Sequence, residues 1–136
     1  MKRILLAGIL ALTLALPSFA ATQVRENAVW YRVHLGTGLT ETRVTDAEIA
    51  AFIDSFVTER FPDGMTIIAA RGQWSSKEHG LTREITTVID IQCGDTPENS
   101  EKIKEIAEEY VRRFTRARAS CFVKRIPNVS TTLYYP

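Results

Sequence analysis

Two amphipathic helical stripes, each set between segments of alternating polarity, constrain this chain more than anything else in its sequence. Ile49, Phe52, Ile53, Phe56 and Val57 fall at i, i+3, i+4, i+7 and i+8, one continuous apolar helix face. Thr45 followed by Glu48 forms a capping box, in which the two residues satisfy each other's orphan backbone N–H groups. Phe61-Pro62-Asp63-Gly64 stops the helix and turns the chain. Ile103, Ile106, Ala107, Tyr110, Val111 and Phe114 trace the second stripe, opened by Thr96 as cap with Pro97 in the first turn. Acidic residues crowd its start and Arg112, Arg113 and Arg116 its end, as the helix dipole favours.

The flanking segments read as strands. From Ala28 to Leu35, Val29, Tyr31, Val33 and Leu35 alternate with Trp30, Arg32 and His34. Met65 to Trp74 and Thr82 to Cys93 form a pair joined by the polar loop Ser75 to Gly80. In the second of these, Ile85, Ile89, Ile91 and Cys93 share one face, and Glu84, Thr86, Val88, Asp90 and Gln92 the other. Ala119 to Ile126 is a fourth strand, and Pro127-Asn128 turns the chain toward a short extra edge strand around Val129 to Tyr135. The order is β-α-β-β-α-β. It predicts an α+β, ferredoxin-like sandwich, with one antiparallel sheet, both helices on one face and the other face open. No repeat or linker divides the chain, so residues 21–136 read as one domain.

The open face is where chemistry would sit. Trp30, Arg32 and His34 point outward if their alternating partners face the helices, and the neighbouring central strand presents Glu84, Thr86, Asp90 and Gln92. A histidine, an arginine and two carboxylates on adjacent strands can bind a polar ligand or move a proton. Trp74 borders this group, with Arg71 and Gln73 joining it if the second strand is oriented that way. The simpler alternatives are a solvated face with cross-strand charge pairs and burial of that face against a second chain. His79 reads as an exposed turn residue. Neither histidine has a second ligand at metal-binding spacing, and there is no nucleophile elbow, P-loop or dinucleotide fingerprint, so neither metal nor cofactor is expected.

Met1-Lys2-Arg3, the 13-residue apolar run Ile4 to Leu16, and Ser18-Phe19-Ala20 form the three parts of a secretory signal peptide at residues 1–20, with the cut before Ala21. A membrane-crossing helix needs roughly 18 or more apolar residues, so the expected product is exported, periplasmic or extracellular, with no membrane span after cleavage. The full chain carries 17 basic against 16 acidic residues, and losing Lys2 and Arg3 leaves 15 against 16. That near-neutral product argues against a nucleic-acid partner, whose affinity needs a basic surface.

An oxidising compartment permits Cys93 and Cys121 to pair. Both are expected at the same end of the sheet, separated by the first strand and therefore by roughly 9.6 Å. Bridged Cα atoms rarely exceed about 7 Å, so compartment favours a disulfide and geometry opposes it.

Trp30-Tyr31-Arg32 with Gly36, Phe61-Pro62-Asp63-Gly64, Gly72-Gln73-Trp74, Arg83-Glu84, and Tyr110 with Phe114 together resemble a bacterial family of small secreted proteins, domain of unknown function 3574. The resemblance covers roughly residues 28–124 and implies an exported bacterial protein without bringing an activity. One departure is Thr87, where relatives tend to carry a lysine, so no role of that lysine transfers.

The leading expectation is a non-enzymatic binding or self-associating module that holds a small molecule, a protein partner or a second copy (a homodimer) on the open face. The alternative is a small dimeric enzyme using Arg32, His34 and Glu84 or Asp90 on a polar small molecule. An enzyme requires His34 and a carboxylate within hydrogen-bond reach in a concave pocket. A binding module requires Trp30 or Trp74 exposed beside an apolar patch.

Overall fold

The computed structural model describes residues 21–38 and 41–135, and the leader at residues 1–20 lies outside the described residues. The strands are β1 (Ala21–Gly36), β2 (Thr66–Ser76), β3 (Gly80–Gly94) and β4 (Ser120–Tyr135). They form one antiparallel sheet in the order β2-β3-β1-β4. The first helix runs over residues 46–60 and the second over Pro97–Arg113. This is the expected ferredoxin-like βαββαβ sandwich.

One face of the sheet and both helices make a single core. Val29, Tyr31, Val33 and Leu35 of β1 and Ile89, Ile91 and Cys93 of β3 pack with Ile49, Phe52, Ile53 and Val57 from the first helix and Ile103, Ile106, Tyr110 and Phe114 from the second. The helix starts follow the sequence. Thr45 and Glu48 complete their capping box, and the Thr96 side chain accepts from Asn99 N–H. The first helix is not uniform, because Ile53–Val57 takes a π turn that keeps Ile53 and Val57 in the core.

The separate edge strand expected at the C-terminus does not form. β4 runs unbroken through Pro127 to Tyr135, and its last part pairs with Ala21–Arg25 at the start of β1. Pro127 is accommodated because β4 is an edge strand, where a missing N–H need not break a ladder. Register shifts between Arg25 and Trp30, with Asn27 and Asn128 at positive φ, absorb the change of course where the ribbon leaves the helix-covered sheet.

The cysteines also correct the expectation. Cys93 pairs with Val29 and Cys121 with Leu35, six residues apart along β1. Since β3 and β4 both run antiparallel to β1, the end of β3 and the start of β4 lie at opposite ends of the sheet, about 20 Å apart at the usual strand rise. No disulfide joins them, and burial pushes the Cys121 thiol up to about 12.

A hollow on the open sheet face

Strand alternation puts Trp30, Arg32 and His34 of β1 on the face without helices, together with Glu84, Thr86, Val88 and Asp90 of β3 and Phe122, Lys124 and Ile126 of β4. In β2 the orientation of Arg71 and Gln73, which the sequence left open, is set by the ladder. Ile68 pairs with Val88 and so joins the open face with Gly72 and Trp74, whereas Arg71 and Gln73 take the helix side.

The six candidate residues separate into two groups. Arg32 binds Asp90 through both carboxylate oxygens, each at 2.7 Å, and its guanidinium lies over the Trp30 ring at 5.0 Å. The Asp90 carboxyl is held below its ordinary value, first by the hydrogen bond from Arg32. The buried indole N–H of Trp30 approaches Asp90 without reaching hydrogen-bond geometry. This trio is a closed ion pair under an aromatic ring, and Asp90 is not offered to His34.

His34, Trp74 and Glu84 belong to a hollow of about 570 Å³ further along the sheet. The His34 ring leans on Phe122 with centroids 5.3 Å apart, and His79 meets Trp74 edge to face at 6.3 Å. Burial first, then the charges of Arg32 and Lys124, lowers the His34 pKa against the pull of Asp90, so the imidazole is neutral at pH 7. Arg118, left-handed at φ 51°, brings its guanidinium to 3.3 Å from His79 Nε2. Trp74 is 37% exposed and Phe122, which lines the same hollow, 61%.

The floor depends on two glycines. A Cβ at Gly72 would come within 2.7 Å of Thr86 Oγ1 and 3.0 Å of Glu84 Cγ, and one at Gly36 within 2.7 Å of Ser120 Oγ and 3.0 Å of Glu84 Oε2. The Glu84 side chain lies in the space those missing side chains leave. Its Oε2 accepts the Gly38 N–H at 3.0 Å, while Oε1 has no hydrogen bond among the described residues. The carbonyl of Gly36 accepts the buried Tyr110 hydroxyl at 3.1 Å, tying the floor to the second helix. Gly36, Gly72-Gln73-Trp74, Glu84 and Tyr110 all come from the short motifs singled out in the sequence, and the fold gathers them at one place.

Sequence reasoning missed Phe122, Ser120, Arg118 and the pocket role of His79. Phe122 had left a signal, as an aromatic residue at an outward position between the inward Cys121 and Val123. Among the described residues there is no group of three or more metal-ligating side chains and no helix long and apolar enough to cross a membrane.

These features define a ferredoxin-like α+β domain with an aromatic-rimmed hollow on its open face. The chain belongs to the family described as "Protein of unknown function (DUF3574)", which matches residues 31–126. No curated protein matches it in sequence. Among solved structures, a phage SAM lyase in complex with S-methyl-5'-thioadenosine is similar with a TM-score of 0.57 and 15% identity, over 83% of this chain and 94% of that one. CutA from Synechococcus elongatus PCC7942, complexed with Bis-Tris, is similar with a TM-score of 0.51 and 10% identity, over 80% of this chain and 89% of that one. At such identities the likeness is one of fold.

Proposed function

We propose that this protein is a non-enzymatic binding module that takes a flat, largely apolar small molecule bearing a hydrogen-bond donor. The observation that carries the reading is the hollow itself, which Trp74, His34 and Phe122 line together with a carboxylate, Glu84, one of whose oxygens has no hydrogen bond among the described residues. Its volume falls in the usual range for small-molecule sites, about 300–1,000 Å³. The rings supply apolar contact area, and Glu84 orients the donor. The enzyme alternative finds less support, because no carboxylate among the described residues hydrogen-bonds His34, and Arg32 occupies Asp90.

S-methyl-5'-thioadenosine, the molecule in the phage lyase structure, is a suitable first probe because its base is flat and its exocyclic amine donates. Tested with purine nucleosides and aminated indoles, a binder should shift tryptophan emission and raise the melting temperature. Trp74→Ala should weaken binding roughly tenfold, since stacking on one aromatic side chain is worth about 1–3 kcal/mol per base. Unchanged affinity in that variant, or no response to any probe, would remove the reading. A mass that doubles with concentration and returns to monomer in Phe122→Ser would assign the face to a second copy instead.

Export is part of the same proposal. The leader pattern supports it: a basic start, a 13-residue apolar run and small residues before the expected cut. Expressed in a bacterium, the protein should be recovered outside the cytoplasm with an intact mass starting at Ala21. A cytoplasmic product retaining the leader would exclude export.

A further inference from the structure

Most of the described arginines have a carboxylate partner, and Arg118 meets His79 instead. Arg32, Arg60, Arg112, Arg113, Arg116 and Arg125 each pair with a carboxylate. Arg43, Arg71 and Arg83 have no carboxylate partner among the described residues, and all three line one hollow of about 520 Å³. Arg71 and Arg83 come from the helix-side face of the β2–β3 hairpin, where Arg71 pairs in register with Ile85 and Gln73 with Arg83. Arg43 comes from the segment leading into the first helix. The Arg83 Nε–H is oriented by Gln73 Oε1 at 3.1 Å.

We propose that this hollow binds a small multivalent oxyanion, a molecule carrying phosphoryl or carboxylate groups. Three guanidinium groups around one concavity repel one another, and the only acid in its lining, Glu84, has one oxygen already bound to the Gly38 N–H. The local charge is therefore positive on a chain that is close to neutral overall. A multivalent anion relieves that repulsion, and the planar guanidinium fork matches the geometry of phosphate and carboxylate oxygens. Solvent and salt screen an isolated surface arginine, but a concave site focuses the field of several. Arg43, Arg71 and Arg83 are all exposed, which leaves the hollow open to a ligand. Gly38, Gly72, Gln73 and Glu84 line both this hollow and the open-face one, but none of the three arginines lines the open-face hollow, so the anion proposal stands on the arginines and not on the open-face reading.

Calorimetric titration of the purified protein with pyrophosphate and, separately, with citrate tests this. The expected result is saturable binding of one anion per chain, weakened by added salt, with the preferred probe identifying phosphoryl or carboxylate chemistry. Arg71→Gln combined with Arg83→Gln should reduce affinity roughly tenfold or more, and Arg43→Gln alone should also reduce it. Arg112→Gln removes the same charge from the second helix and should leave binding unchanged. Circular dichroism melts establish that each variant is folded. Absence of binding by either probe would overturn the proposal, as would a double variant that binds like the parent or an Arg112→Gln variant that loses as much.

Discussion

Gly38→Ala is expected to destabilise the protein by about 3 kcal/mol or more, read as a lower urea midpoint at unchanged slope. Gly38 has φ +81°, a conformation that costs an L-residue on the order of 1–2 kcal/mol. Its missing side chain also matters sterically, because a Cβ there would lie 1.9 Å from the carbonyl oxygen of Ala117. That neighbour is backbone in the short 3-10 turn Thr115–Ala117 and has no rotamer to move into. Relief requires the loop after β1 and the turn before β4 to separate, pulling the Gly38 N–H from Glu84. A loss below about 1 kcal/mol would mean that the loop follows another path. Gly64 provides the contrast. It too has positive φ, at +117°, but a Cβ there meets nothing within 4 Å, so only the conformational cost applies.

Phe52→Ala should cost about 3–5 kcal/mol, the usual range for deleting a buried aromatic ring. Phe52 is fully buried between the helices, with ring centroids 5.3 Å from Tyr110, 6.1 Å from Phe114 and 5.5 Å from Phe56. The Arg113 guanidinium lies over its face at 5.1 Å. Removing the ring leaves a cavity that the two helices cannot close without moving Tyr110, whose hydroxyl is bound to the Gly36 carbonyl under the open-face floor. Phe52→Leu keeps most of the volume and should cost less than half as much. Equal losses in the two variants, measured by denaturant unfolding, would contradict a tightly packed aromatic contact.

Much of this architecture was legible because burial imposes period. The residues at Ile49, Phe52, Ile53 and Val57, and the alternation through β1 and β3, exist to meet one core, so they announce both the element and the face. Segments that do not meet the core announced nothing. The first strand was expected from Ala28, yet β1 also includes residues 21–27, and Ala21–Arg25 pair with the tail of β4. The orientation of β2 was left open because it is an edge strand with both faces partly open, and its neighbouring isoleucines, Ile67 and Ile68, point to opposite faces and are both exposed.

The site was half legible for a similar reason. Outward orientation of Arg32, His34, Glu84 and Asp90 followed from alternation alone. Which of them pair depends on register, and register put Arg32 opposite Asp90 and His34 opposite Val88. The disulfide question failed on direction rather than distance, since strands that are both antiparallel to β1 run parallel to each other. The convergence of unpaired arginines is a tertiary fact, with Arg43 separated in sequence from Arg71 and Arg83.

The ladder between the first part of β1 and the tail of β4 has a consequence for assembly in time. β1 is a central strand, flanked by β3 and β4, and its first residue pairs with Tyr135, more than a hundred positions away in sequence. Closing so long a loop is entropically costly and brings no return until the final strand is available. The β2–β3 hairpin can form early from neighbouring residues, but one edge of the central strand stays unsatisfied until β4 has been made. Until then an exposed β edge is available to the wrong partner. For this protein the risk of misassembly is concentrated in the interval before its last strand arrives.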